Sequence, residues 1–138
     1  MRSPDIHTDF WHVLSGEERY LASPETFWIP ALADRARLVR GCAAKLLFEI
    51  GARGNTGPDV TNIERMWVIV KERFGDWYIG ILDSQPASIK ASDDVYLCFG
   101  AEVPFKAEHV IDIGSPPPHY AEWQLNQTAE RVWPRDAP

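Results

Sequence analysis

A chain of 138 residues, 45% hydrophobic and 25% charged, carries enough apolar material for one globular domain and is not the composition of a disordered protein. Its net charge of −6 repels phosphate backbones and anionic headgroups, which argues against nucleic acid and membranes as partners, and no apolar run reaches the roughly 20 residues that span a bilayer. The opening MRSPDIHTDFWHVL has no apolar h-region, so no signal peptide is expected; with only Cys42 and Cys98 in the chain, reduced thiols and a cytosolic location are expected.

In chain order, residues 8–14 read as a short helix capped by Thr8 or Asp9. Ser23-Pro24-Glu25-Thr26 reads as a second helix start, with serine as N-cap, proline in the first turn and an acid facing the dipole. Phe27, Trp28 and Ile29 follow as three large apolar groups in a row and are expected to lie against the core. Residues 31–50 have helical propensity. Past Gly41, however, Ala44, Leu46, Phe48 and Ile50 alternate with Lys45 and Glu49, the period of a half-buried strand, so 45–50 is assigned as one. Residues 51–58 read as a loop. Its glycines do not make a phosphate loop, because no Lys-Ser or Lys-Thr pair follows and Pro58 stands where helix N–H donors would be needed.

Residues 65–71 (RMWVIVK) and 77–82 (WYIGIL), joined through Gly75, carry a hairpin signature. Large apolar residues on both faces mark these strands as central, and Gly80 suits a bend or a close approach. Residues 84–94 are polar and turn-rich, and 95–99 read as a strand. Pro104 confines the strand at 101–105 to an edge, and 109–113 add a short last pairing. Ser115-Pro116-Pro117-Pro118 is a stiff exit before a terminal helix at 120–131. The expected architecture is a single domain over 1–138, with its core at about 21–113. Its class is mainly β (α+β): a small, strongly bent antiparallel sheet or partly open barrel with short flanking helices.

The charge is unevenly placed. From Met1 to Phe74 ten acids cancel ten bases, whereas from residue 75 to 118 seven acids (Asp76, Asp83, Asp93, Asp94, Glu102, Glu108, Asp112) face Lys90 and Lys106. Such an acidic surface suits a basic protein partner, or simply keeps the protein soluble.

Chemistry is hard to place. No histidine has a partner at a diagnostic metal spacing, so neither metal nor cofactor is expected; His109, between Glu108 and Asp112, comes nearest to a site. Ser84 lacks the glycine-flanked strand-to-helix elbow of an activated serine, and Cys98 sits in an apolar run where a thiol packs rather than ionises. No catalytic residue is assigned. In Leu82-Asp83-Ser84-Gln85-Pro86, Asp83 and Ser84 can bond nearby backbone and close a turn, while Pro86 stops further pairing. Alternatively, Asp83 and Gln85 beside Trp77 or Tyr78 offer polar groups next to aromatic area, a combination that interfaces use. The candidate binding residues are Trp67, Trp77, Tyr78, Asp83, Gln85, Glu102, His109 and Asp112.

One ordered series of short motifs spans residues 21–113. It comprises Pro24-Glu25-Thr26-Phe27-Trp28-Ile29-Pro30, Gly41, Lys45-Leu46-Leu47-Phe48, Glu64-Arg65-Met66-Trp67-Val68 and Tyr78-Ile79-Gly80-Ile81-Leu82-Asp83-Ser84-Gln85-Pro86. Gly100, Val103-Pro104-Phe105 and Glu108-His109-Val110-Ile111-Asp112-Ile113 complete it. The series resembles a bacterial domain-of-unknown-function family, some members of which are grouped with immunity proteins of toxin systems. Cys42 departs from it, since such proteins tend to have an acid after the glycine. The resemblance implies a compact β-rich domain and carries over no catalytic residue. Together with the charge asymmetry, it points to a non-enzymatic binding domain, an immunity-type protein that neutralises a basic partner through an acidic face. The second reading is a small-molecule-binding or hydrolytic domain with a pocket near Trp67, Trp77, Tyr78, Asp83 and His109.

Overall fold

The computed structural model describes residues 1–51, 61–89 and 95–135. Its elements are β1 (Trp11–Leu14), α1 (Gly16–Ala22), α2 (Leu32–Arg35), β2 (Ala43–Gly51), β3 (Thr61–Phe74), β4 (Trp77–Leu82), β5 (Glu102–Lys106), a 3₁₀ turn (Ala107–His109), β6 (Asp112–Gly114) and α3 (Pro118–Asn126). The six strands form one antiparallel sheet of order β1-β2-β3-β4-β5, curled into a half-barrel. β6 pairs with Ala43–Lys45 on the same edge of β2 that β1 uses further along, at Leu47–Ile50.

Alternation overrides helical propensity in β2, as the pattern predicts. Ala44, Leu46, Phe48 and Ile50 all point into the curl, where they meet Met66, Val68 and Val70 of β3. The β3–β4 hairpin closes through Gly75-Asp76, and Gly75 at φ +56° supplies the positive φ of a turn with glycine at its first central position. A bulge at Lys71 shifts the register between Val70 and Glu72 and aims the Lys71 ammonium at Glu102. Gly80 is where two chains approach: a Cβ there would lie 2.7 Å from Val68 Cγ2 and 3.2 Å from the Phe105 ring. β5 is the edge strand that Pro104 demands. β4 is buried on both faces, its outer side covered by α3, whose Ala121 and Leu125 pack on Ile69 and Ile81. At the open side of the curl, the rings of Trp11, Tyr96 and Trp133 lie 5.4–5.8 Å apart.

Several expectations are corrected. Residues 11–14 are strand rather than helix, because Trp11 faces the core while His12 bonds to Glu49 across the pair. Ser23 ends a helix instead of starting one. Ser15 is the N-cap of α1, its Oγ accepting from Glu18 N–H, and the Ser23 N–H bonds back to the carbonyls of Arg19 and Tyr20. Tyr96 and Leu97 reach the core without strand pairing, the Tyr96 hydroxyl donating to the Glu102 carbonyl. α3 stops at Asn126, after which the chain turns to run beside β5, Arg131 bridging Ala101 in parallel. Gly51 closes β2, while the rest of the expected 51–58 loop, with residues 90–94, lies outside the described residues. No helix among the described residues is long and apolar enough to cross a membrane.

Candidate functional site

The Asp83–Pro86 segment is structural. The Asp83 carboxylate accepts from the Tyr120 hydroxyl at 2.6 Å and from Gln124 at 3.2 Å, pinning α3 to the end of β4. That bond, with some burial, pushes the Tyr120 phenol up to about 12. Gln85 accepts from Phe99 N–H and donates to the Ile89 carbonyl. Glu64 collects Ala87 N–H, Ser88 N–H and the Ser88 hydroxyl, and these bonds outweigh its burial to hold its carboxyl below the usual range.

The other sequence candidates form no single cluster: the Asp83 N–H donates to the Trp67 carbonyl, while His109 lies by Lys106, which pairs with Trp77. Glu102 is 1% exposed and accepts from Lys71, Arg135 and the Trp133 N–H; burial opposes its ionisation, but these donors overcome it and hold the carboxyl down at about 2. Glu72 meets the same Arg135 guanidinium. Tyr78 is in the core, its hydroxyl donating to the Arg35 carbonyl and its ring stacked on Phe105. Trp67 lies under the Lys45 ammonium and against Gly114, and Trp77 lies under Lys106. His109 accepts the Lys106 N–H on Nδ1; burial, then the Lys106 charge, pushes its pKa down to about 4, so it is neutral at pH 7.

These placements dissolve the small-molecule pocket expected near Trp67, Trp77, Tyr78, Asp83 and His109. Trp77 begins β4 and Asp83 follows its end, a separation of roughly 20 Å at the usual strand rise. His109 belongs to the Trp77 end, because Lys106 pairs with Trp77. Nor are the second-half acids all free to form one acidic face. Asp83 and Glu102 are taken up by internal partners, and Asp76 and Asp83 mark opposite ends of β4. Asp112 lies three strands away on β6, and Asp93 and Asp94 are outside the described residues. Of the eight candidates, Asp112 alone lines either of the hollows described next.

Those hollows flank Trp28, on the connection between α1 and α2. One, of about 500 Å³, is bounded by Trp28, Pro30, Asp34, Arg37, Leu38, Val39, Cys42, Asp112 and Ile113. The other, of about 400 Å³, lies between Glu17, Tyr20, Leu21, Trp28, Ile29, Pro30, Ala31, Leu32 and Arg35. Trp28 stands between them 69% exposed, and Leu21, Leu32 and Val39 around it are exposed too. An indole offers roughly 200 Å² to burial, so leaving two thirds of it in water forgoes about 3 kcal/mol.

The ridge is nevertheless held firmly. Arg35, 4% exposed, donates from Nε to the Pro30 carbonyl at 2.8 Å, and from one terminal nitrogen to Glu17 at 2.7 Å and the Ala107 carbonyl at 2.8 Å. One guanidinium thus fixes the connection, α1 and the 3₁₀ turn to each other. Sequence reading placed Phe27-Trp28-Ile29 against the core. Phe27 and Ile29 are half-buried while Trp28 between them is exposed, because neighbouring side chains in an extended segment face apart and nothing among the described residues covers the second side.

Among the described residues no group of three or more His, Cys, Asp or Glu is placed to hold a metal ion. Cys42 and Cys98 are free and half-buried, and burial raises both thiols, which disfavours a reactive thiolate. No family model, no curated protein and no solved structure matches this chain.

Proposed function

We propose that this protein is a binding domain that grips a protein partner through the Trp28 face, in keeping with the immunity-type role that the sequence resemblance implies. The observation that carries the reading is an indole left mostly in water on a connection locked by a buried arginine. Contiguous exposed apolar surface on a folded domain marks contact sites, and tryptophan held in advance is a favoured anchor. The polar residues first considered for binding are, by contrast, largely spent on internal hydrogen bonds.

The test is a photoreactive phenylalanine analogue at position 28, compared with the same probe at Trp123, an exposed aromatic on α3. In cells expressing the protein, position 28 is expected to give a dominant protein adduct and position 123 little. Equal or absent adducts at position 28 would count against the reading.

A further inference from the structure

We infer that the two hollows beside Trp28 recognise different side chains of one partner segment: the Tyr20–Leu32 hollow an apolar one, and the Asp34–Asp112 hollow a lysine or arginine. The inference rests on the Trp28 face being a protein-contact surface and adds the chemistry of what it contacts.

The linings differ in kind. Around the first hollow Tyr20, Leu21, Ile29, Ala31 and Leu32 are apolar or nearly so, and its charges, Glu17 and Arg35, neutralise each other at 2.7 Å. A charged group entering there would lose water and gain no partner. The second hollow has Leu38, Val39, Cys42 and Ile113 as walls and two carboxylates, Asp34 and Asp112, against one cation, Arg37. Arg37 meets Asp34 only at 3.7 Å, with both side chains mostly in water, a contact worth little. The Asp112 carboxylate accepts the Ile113 N–H at 2.9 Å, and no cation pairs with it among the described residues. Lys45, opposite Asp112 in the sheet, sets its ammonium over the Trp67 ring instead.

The second hollow therefore combines an apolar trough, an exposed indole and unneutralised negative charge. An alkyl stem ending in a cation satisfies all three: the stem lies on Val39 and Ile113, the head approaches Asp112, and the Trp28 ring attracts the charge through its face. A partner carboxylate would meet like charge there. The occupant is thus a protein segment with an apolar side chain close to a lysine or arginine.

Selection of a random dodecapeptide library displayed on phage against the full chain tests this. The enriched peptides are expected to pair a lysine or arginine with a nearby large apolar residue. Selection against a D34N/D112N double variant should retain the apolar residue and lose the basic one, and the wild-type winners should bind that variant about tenfold more weakly. The amide oxygen introduced by Asp112→Asn can still accept the Ile113 N–H, and matched melting curves confirm that the variant is folded. Enrichment without basic residues, the same basic preference on the double variant, or no enrichment at all overturns the inference. The two levels separate through Trp28→Ala. Peptides that need Trp28 but show no charge preference sink this inference alone, whereas peptides indifferent to Trp28→Ala sink the underlying contact surface as well.

Discussion

Glu102 beside the C-terminal segment and Trp28 on the α1–α2 face each sit where their chemistry is least comfortable: a carboxylate 1% exposed, an indole 69% exposed. The carboxylate is compensated within the chain by Lys71, Arg135 and a backbone N–H. Among the described residues the indole has no such compensation, although the backbone beside it is tied down by Arg35 at Pro30. A misplaced group that is fully answered from inside belongs to the fold. One left unanswered above an anchored backbone is open to a partner from outside, as proposed.

That contrast can be broken by mutation, most severely at the ion cluster. Arg135→Ala leaves Glu102 buried with Lys71 as its remaining cation, and removing one partner of a buried pair costs about 3–5 kcal/mol. The urea midpoint should fall accordingly with an unchanged slope. Next comes acid. The unfolded chain protonates histidine near 6.5 and the folded chain only near 4, so the stability tied to His109 is complete above pH 6.5 and is lost as pH falls toward 4. The loss is on the order of 3 kcal/mol. His109→Asn, whose amide oxygen can still accept the Lys106 N–H, should abolish that step. The Glu102 step, between 4.5 and about 2, should remain.

A smaller effect sharpens the account of the Asp83 turn. Asp83→Asn should cost about 1 kcal/mol and let the Tyr120 phenol fall from about 12 toward its ordinary 10, followed through its ring resonances. The smallest effect is the most telling. Trp28→Ala should change stability by no more than about 1 kcal/mol in a melt, while abolishing peptide capture. A large destabilisation there would make Trp28 a packing residue after all.

The sheet was legible because its signals are local and periodic. The alternation from Ala44 to Ile50, the glycine turn at Gly75, the bare Gly80 and the edge proline Pro104 each act where they stand in sequence. The misreadings came where distant partners decide. Trp11–Leu14 becomes strand because the far end of β2 is free to pair with it. Ser23 is a local exception: Ser15 caps the helix that Ser23 ends, its Oγ accepting from the Glu18 N–H three residues on. The site was harder still. Asp83, Gln85 and Glu102 look like polar readers until α3, Phe99 and Arg135 arrive from 14 to 41 residues away to bond them. Trp28 reads as core until the fold leaves it 69% exposed.

The fork of hydrogen bonds at Arg35 bears on how quickly and how selectively such a face would work. Loops that must freeze on contact lose conformational freedom at that moment, and the loss weakens each encounter. Under the proposed reading, the three bonds at Arg35 set the backbone beneath Trp28 during folding, so less of that loss would fall on the encounter and a partner of the wrong outline would meet less give.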